Sequence, residues 1–288
     1  MRVAILGSAG YLGIALAQHL TDNGFEVFGC DNFWRDRHAK SLTPAKPVQP
    51  CFFLDITNYD KLRDWLAAKN PDVIVHLAEQ PSAPYSMKGP KEAAWSQYNN
   101  IVGNLNVLYT IKELNPNIHL VKLGTAGEYP DWLYPPEITI PENPRITVNY
   151  QGVDWEIPTP RYFGSWYHAS KFFDSYNCDY ANRIWGLDIT DINQAPVYGY
   201  VPGTRFDYDE CFGTVVNRFV AQSLSGYPLT VYGTGGQTRG YIHIQNSIEA
   251  IELVIRNRPK GYQTPHQLTE TKSVMEIAKL VQAHTGCE

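Results

Sequence analysis

The segment Gly7-Ser8-Ala9-Gly10-Tyr11-Leu12-Gly13 constrains this chain most, because of what flanks it. Before it, Arg2–Leu6 is short and apolar and reads as a buried strand. After it, residues from Tyr11 to about Asn23 carry Leu12, Leu16 and Leu20 on one helical face, and Gly24 marks a helix stop. A glycine-rich turn in that setting allows a tight bend, close approach of backbone to a pyrophosphate, and close packing of helix on strand. The helix N-terminus then presents free N–H groups and partial positive charge to phosphates. The spacing predicts a dinucleotide site on Gly7, Gly10, Tyr11, Leu12 and Gly13, with an ordinary turn as the alternative.

The pattern continues as alternating strands and helices, which predicts βαβ units around a parallel sheet. Strands are expected at Phe25–Asp31, Cys51–Leu54, Asp72–Leu77 and His119–Leu123. Helices are expected near Tyr59–Lys69, with Leu62, Trp65 and Leu66 inward, and over roughly Ala93–Glu113. Pro130–Pro160 has no clear period and reads as an inserted loop or a small hairpin in which Ile138–Ile140 and Ile146–Tyr150 pair. A helix over Trp166–Trp185 and a strand over Leu187–Asn193 follow. Beyond Ala195, glycine- and proline-rich turns break the pattern. The expected fold is α/β: a Rossmann-type, doubly wound parallel sheet over 1–194 and a smaller C-terminal substrate-binding lobe over 195–288.

Composition narrows the partners. A net charge of −5 and a pI near 5.9 give no basic footprint for nucleic acid. The N-terminal apolar run is too short for a signal peptide, and no stretch has the roughly 18 apolar residues of a membrane helix. Five scattered cysteines without metal-ligand spacing read as reduced and structural, as in a cytoplasmic protein that binds no metal.

Three further positions carry chemistry. Asp31 ends the second strand, where a carboxylate accepts hydrogen bonds from adenosine ribose hydroxyls and repels a 2′-phosphate, favouring NAD over NADP. Arg35 and Arg37 close by argue the other way, and Asp55 either reaches the adenine or caps the next helix. Tyr167-His168-Ala169-Ser170-Lys171 holds a YxxxK pair on one helical face. The lysine charge is expected to lower the tyrosine pKa from about 10, so that the phenolate takes a hydroxyl proton as hydride leaves the same carbon for NAD. Thr125 ends the fifth strand, pointing into the crevice at the carboxyl edge of the sheet or capping a turn.

Together these motifs resemble the extended short-chain dehydrogenase/reductase family of nucleotide-sugar epimerases and dehydratases, over nearly the whole chain. The resemblance implies Thr125, Tyr167 and Lys171 as catalytic residues, and Asn32, Ile56, Leu77 and Lys171 as further cofactor contacts. Longer strings are similar to the UDP-sulfoquinovose synthase branch: Glu79-Gln80-Pro81-Ser82-Ala83-Pro84-Tyr85-Ser86-Met87, Val121–Tyr129, Phe206–Phe219 and Leu229–Tyr241. That branch implies UDP-glucose and sulfite as substrates, with oxidation at C4, loss of the 6-hydroxyl to a 4-keto-5,6-ene, sulfite addition and return of hydride. It implies Gln80, Glu128, Asn193, Tyr198, Asn217, Arg218, Gln237 and Arg239 at the substrate, and a homodimer.

Dehydratases of the family place Asp-Glu directly after the threonine, and here those positions are Ala126 and Gly127. His168 then binds an anion or the 6-hydroxyl, or is structural; Glu128 is otherwise a cap or a paired group. Pro81 stands where the branch has an arginine near the sulfite end, and the family pattern continues beyond Glu288. The chain is therefore shortened or builds its pocket differently. Two alternatives stay open: a UDP-sugar 4-epimerase or 5,6-dehydratase without sulfite addition, and a non-catalytic NAD-binding regulatory protein.

Overall fold

The computed structural model describes residues 1–48, 50–128, 145–158 and 163–286. Its centre is an eight-stranded sheet whose every pairing is parallel. The first half supplies β1 (Arg2–Leu6), α1 (Tyr11–Asp22), β2 (Glu26–Asp31), β3 (Cys51–Phe53), α2 (Tyr59–Lys69), β4 (Val73–His76), α3 (Ala83–Ser86), α4 (Pro90–Gln97), α5 (Gly103–Leu114) and β5 (His119–Leu123). Then come β6 (Arg145–Tyr150), β7 (Val153–Pro158), α6 (Trp166–Trp185), β8 (Ile189–Gln194) and β9 (Val197–Tyr198). The remainder is α7 (Val215–Leu224), β10 (Thr238–His243), α8 (Ile244–Asn257), β11 (Tyr262–Gln263), β12 (His266–Gln267), β13 (Glu270–Ser273) and α9 (Val274–Thr285).

The strand order is β11-β8-β5-β4-β1-β2-β3, with β12 also on β8. The chain winds outward from β1 on one side, then crosses to β4 on the other, which opens a crevice at the carboxyl ends of β1 and β4. Both faces of the sheet are covered, and its central strands β1 and β4 are largely apolar and buried. Val3 and Ile5 pack with α1 and α8 through Leu16, Leu20, Ile248 and Ile251. Ala4 and Leu6 face the opposite way, against Leu62 and Leu66 of α2, Leu108 and Ile111 of α5, and Cys178 of α6.

Three features differ from the sequence expectations. The helix expected over Ala93–Glu113 starts at Pro90 and contains a π-turn at Tyr98–Val102, which turns both Asn99 and Asn100 inward. Ile146–Tyr150 pairs with Val153–Pro158 in a hairpin closed at Gln151-Gly152, a pairing the sequence reading did not include; Ile138–Ile140 lies outside the described residues. The boundary at 194 does not separate two bodies: α8 packs on α1, and β11 and β12 join the main sheet. What remains as a lobe is β9, β10 and β13 with α7 and α9, around Phe219, Tyr241, Val274 and Ile277. It is fastened to the loop after β2, where Leu42 N–H donates to the Phe206 carbonyl and Lys46 N–H to that of Gly203.

One buried charge pair crosses the sheet. Lys122 of β5 is wholly buried and donates to Asp191 Oδ1 of β8 at 3.1 Å. Asp191 Oδ2 also accepts from Ser175 Oγ of α6 at 2.5 Å and from the Tyr262 hydroxyl at 3.1 Å. Breaking such a pair strands a charge in low dielectric, whereas replacing both partners by apolar groups is often tolerated. Lys122→Ala is expected to cost about 3–5 kcal/mol in urea unfolding. Lys122→Met with Asp191→Leu should recover most of that loss; an equally large loss in the double variant would contradict this account.

Candidate active site

A cavity of about 1010 Å³ lies over the crevice. Gly7, Gly10, Tyr11, Leu12 and Gly13 line one end, followed by Asp31, Asn32, Arg35, Ile56 and Leu77. Gly7 sits at φ +85°, and a Cβ there would lie 2.6 Å from the Leu77 carbonyl carbon. No side chain caps α1, so its first N–H groups face the cavity end without an intramolecular acceptor from the N-cap residue. These features fit a dinucleotide pyrophosphate: a turn no side chain can enter, and an uncapped helix N-terminus. Asp31 accepts from Ala9 N–H at 3.0 Å and Phe33 N–H at 2.7 Å, which fixes its carboxylate at the cavity rim.

Some expected cofactor contacts have other partners. The Arg35 guanidinium grips Asp207 through Nε at 2.8 Å and Nη2 at 2.7 Å, so it ties the lobe to this loop rather than waiting for a 2′-phosphate. Asp55 neither lines the cavity nor caps α2; Asn58 caps the helix, while Asp55 takes Thr57 N–H at 2.9 Å and Asn32 Nδ2 at 3.2 Å.

Thr125, Tyr167, His168 and Lys171 line the middle of the cavity together. Local sequence explains the placement. Ser165 caps α6 by accepting His168 N–H, and Ser86 at the end of α3 accepts Tyr167 N–H at 3.0 Å. One turn along, Ser170 accepts from Asn100 Nδ2 at 2.9 Å, and Asn100 Oδ1 accepts Gln80 N–H at 2.7 Å. The π-turn thus braces both the helix of Tyr167 and the loop after β4.

The electrostatics differ from the simple tyrosine–lysine picture. Burial pushes the Tyr167 hydroxyl up to about 12, opposed by the positive charge of Lys122 and a hydrogen bond with Thr125. Burial brings Lys171 down to about 8 despite Asp174, Asp191 and Cys178 nearby. Lys171 donates to the Glu79 carboxylate and to the Leu123 carbonyl. Lys122 also acts on the tyrosine, and a YxxxK reading does not show it because β5 brings it there from 45 positions away. Thr125 lines the cavity beside Tyr167, and its Oγ1 accepts Gly127 N–H at 3.2 Å.

His168 is held at Nδ1 by Ser165 Oγ at 2.9 Å. A Cβ at Gly127 would collide with its Nε2. The imidazole therefore occupies the space that a side chain at position 127 would need. Burial, and then Arg239, bring its pKa down to about 4, so it is neutral at pH 7.

The expected substrate residues divide. Gln80, Arg218, Gln237 and Arg239 line the cavity, together with Pro81. Gln80 is locked onto Ser82, donating to its carbonyl and accepting its N–H, both at 2.9 Å. Arg218 stacks over Tyr232 at 4.8 Å, and its buried Nε has no hydrogen-bond partner. Glu128, Asn193, Tyr198 and Asn217 stand outside the lining. Glu128 is wholly buried and accepts from Ser175 Oγ at 3.2 Å; Tyr198 donates to Glu270; Asn217 accepts Gly199 N–H at 2.9 Å. Sequence reasoning missed Glu79, Asn100, Lys122 and Asp191, which look like ordinary surface or core residues until the strands align. Among the described residues no group of side chains could hold a metal ion, and no helix is long and apolar enough to cross a membrane.

His76, at the end of β4 beneath this site, is wholly buried with neither ring nitrogen hydrogen-bonded, and burial brings its pKa down to about 3. The unfolded chain, titrating near about 6.5, then binds more protons than the folded one between the two values. Stability from this group is present above that window and is lost as pH falls through it. Relative to His76→Asn, the wild-type protein should lose urea stability steadily from about pH 6.5 downward; a pH-independent difference would contradict a buried neutral imidazole.

The NAD dependent epimerase/dehydratase family model matches residues 3–266. The chain is 39% identical to the chloroplastic UDP-sulfoquinovose synthase of Spinacia oleracea, covering 97% of this chain and 63% of that protein. It is also 39% identical to the UDP-sulfoquinovose synthase of Sulfolobus acidocaldarius, covering 98% and 78%. The fold matches the UDP-glucose 4-epimerase of Thermotoga maritima with a TM-score of 0.77 at 23% identity, over all of this chain and 84% of that one. The chain is an enzyme of the NAD-dependent epimerase/dehydratase family, with a Rossmann-type fold and NAD as cofactor.

Proposed function

We propose that this chain is a nucleotide-sugar enzyme of the UDP-sulfoquinovose synthase type, acting on UDP-glucose and sulfite. The observation that carries this reading is the exchange at Gly127: where a family dehydratase has an acidic side chain after the threonine, the His168 imidazole fills the space. The two relatives at 39% identity support the same choice.

The chemistry NAD supplies when bound is reversible hydride acceptance from sugar C4. Gly7, Gly10, Gly13 and Asp31 would hold its phosphates and adenosine ribose, and Lys171 its other ribose. Tyr167 takes the C4 hydroxyl proton as C4 is oxidised, with Thr125 and Lys122 stabilising the phenolate. Ketone formation acidifies C5. His168, neutral and lining the cavity, takes the C5 proton and gives one to the departing 6-hydroxyl, so that water leaves; sulfite then adds to C6 as a proton returns to C5, and Tyr167 gives back its proton to the C4 oxygen as hydride returns to C4. Arg218 and Arg239 grip the diphosphate, and Gln237 lies beside them. Purified protein with NAD, UDP-glucose and sulfite should yield a sulfonated UDP-sugar by mass spectrometry. Tyr167→Phe should reduce its formation by about a hundredfold or more. NAD-loaded, folded protein giving no such product would exclude the sulfite step.

Pro81 favours a second reading, a UDP-sugar 4-epimerase or 5,6-dehydratase, because it brings no cation to the cavity wall. Solvent deuterium entering C5 without sulfite, or a C4 epimer, identifies those outcomes. The cytoplasm remains the proposed compartment, supported by four described cysteines that are free thiols.

We also propose a homodimer through α5 and α6. Trp166, Phe173, Tyr176, Tyr180 and Ile184 form an exposed stripe at helical spacing on α6, and Tyr109 of α5 meets Trp185 edge-on at its end. Tyr180→Glu with Ile184→Glu should convert a dimer to a monomer in analytical ultracentrifugation; a wild-type monomer would overturn the proposal.

A further inference from the structure

A carboxylate stands against the lysine of the YxxxK pair. Glu79 sits in the loop between β4 and α3, lines the cavity, and has a side chain 4% exposed. Its Oε2 accepts from Lys171 Nζ. Its Oε1 has no hydrogen-bond partner and lies 3.6 Å from His76 Nε2. The loop is pinned on both sides: Glu79 N–H donates to the Leu77 carbonyl at 2.9 Å, and Gln80 is clasped by Asn100. The carboxylate is therefore delivered to one place by a braced backbone, not by a swinging side chain.

An ammonium so buried tends to lose its proton unless an anion faces it. Each group around Lys171 contributes with its own sign. On α6 are Asp174, Cys178 and Tyr167; β5 brings Lys122, β8 brings Asp191, and β4 brings His76. Asp191 is already engaged by Lys122, Ser175 and Tyr262. Neither oxygen of Asp174 has a hydrogen-bond partner, so it acts on Lys171 without fixing it. Glu79 is the carboxylate in direct hydrogen-bonded contact. Of the three N–H donors of Lys171, one goes to Glu79 and one to the Leu123 carbonyl, leaving one for a ligand hydroxyl.

We propose that Glu79 is a positioning residue for Lys171: its carboxylate holds the ammonium charged and fixed at the cavity wall, one helical turn from Tyr167. The proposal rests on the reading of Tyr167 and Lys171 as the oxidising pair, not on the identity of the sugar or on sulfite. It gives the loop after β4 a chemical task besides shaping the cavity.

The test follows the proton on Lys171 directly. Full-length protein without ligands is labelled with acetic anhydride across a pH series, and acetylation of Lys171 is read by mass spectrometry. Removing an anion makes the neutral amine easier to form, so Glu79→Gln should move the titration midpoint down by about one pH unit or more. Glu79→Asp, which keeps the charge, should stay within about half a unit of wild type. The rate at which UDP-glucose reduces bound NAD should lose its high-pH limb earlier in Glu79→Gln by the same shift. Glu79→Ala, held to the same fall in midpoint, replaces the amide variant if that variant does not fold. An unmoved Lys171 midpoint in a folded Glu79→Gln or Glu79→Ala protein overturns the proposal, as does an equal fall in Glu79→Asp. If UDP-glucose fails to reduce NAD in the wild type, the substrate reading fails while the labelling result still decides the role of Glu79.

Discussion

Two ammonium groups buried at the carboxyl half of a parallel sheet set the terms for this molecule. Lys122 and Lys171 lie where β5, β8 and α6 converge, and neither has water enough to remain charged unaided. Asp191 answers the first and Glu79 the second. Each pairing joins segments far apart in the chain, so the charges hold together only when β4, β5, β8 and α6 are in register. The requirement for charge neutrality in a dry seam thus specifies the arrangement of the elements that carry the chemistry. The apolar layers on both faces of the sheet supply cohesion but are more tolerant of substitution.

The same seam shapes reactivity. Burial drives the tyrosine hydroxyl, the lysine and His168 each toward its neutral form. Against that uniform pressure, Lys122, Thr125 and Glu79 act selectively on the residues they touch. The glycine at 127 and the imidazole at 168 occupy one another's space, so a histidine on α6 replaces an acidic side chain on the loop after β5.

The lobe depends on the first half in turn. Asp207 binds Arg35 and Arg205 together, and the strand-like run at 40–46 exchanges backbone hydrogen bonds with 203–208. Arg35 therefore acts as a fastening for the lobe, while Asp31 lines the cavity.

The glycine loop, the strand–helix alternation and the YxxxK pair were legible in the sequence because each is local. Turn geometry, helical period and strand burial are imposed within a few residues, so their signals sit side by side in the chain. The same locality explains what was not legible. The pairing of Ile146–Tyr150 with Val153–Pro158 rests on a turn at Gln151-Gly152 that apolar spacing does not mark, and a π-turn inside one helix cannot be told from regular helix by the same spacing. Gly127 was visible only as a missing acid until His168 was seen in its place. Glu79, Asn100, Lys122 and Asp191 have no local pattern, since their roles are created by register between strands and by the approach of α6. By itself the sequence determined a Rossmann-type α/β fold and singled out the Tyr167–Lys171 pair that the structure brings to the cavity. Only the tertiary structure decided which charges stand beside that pair, because Coulomb energy depends on distances in space that chain separation does not encode.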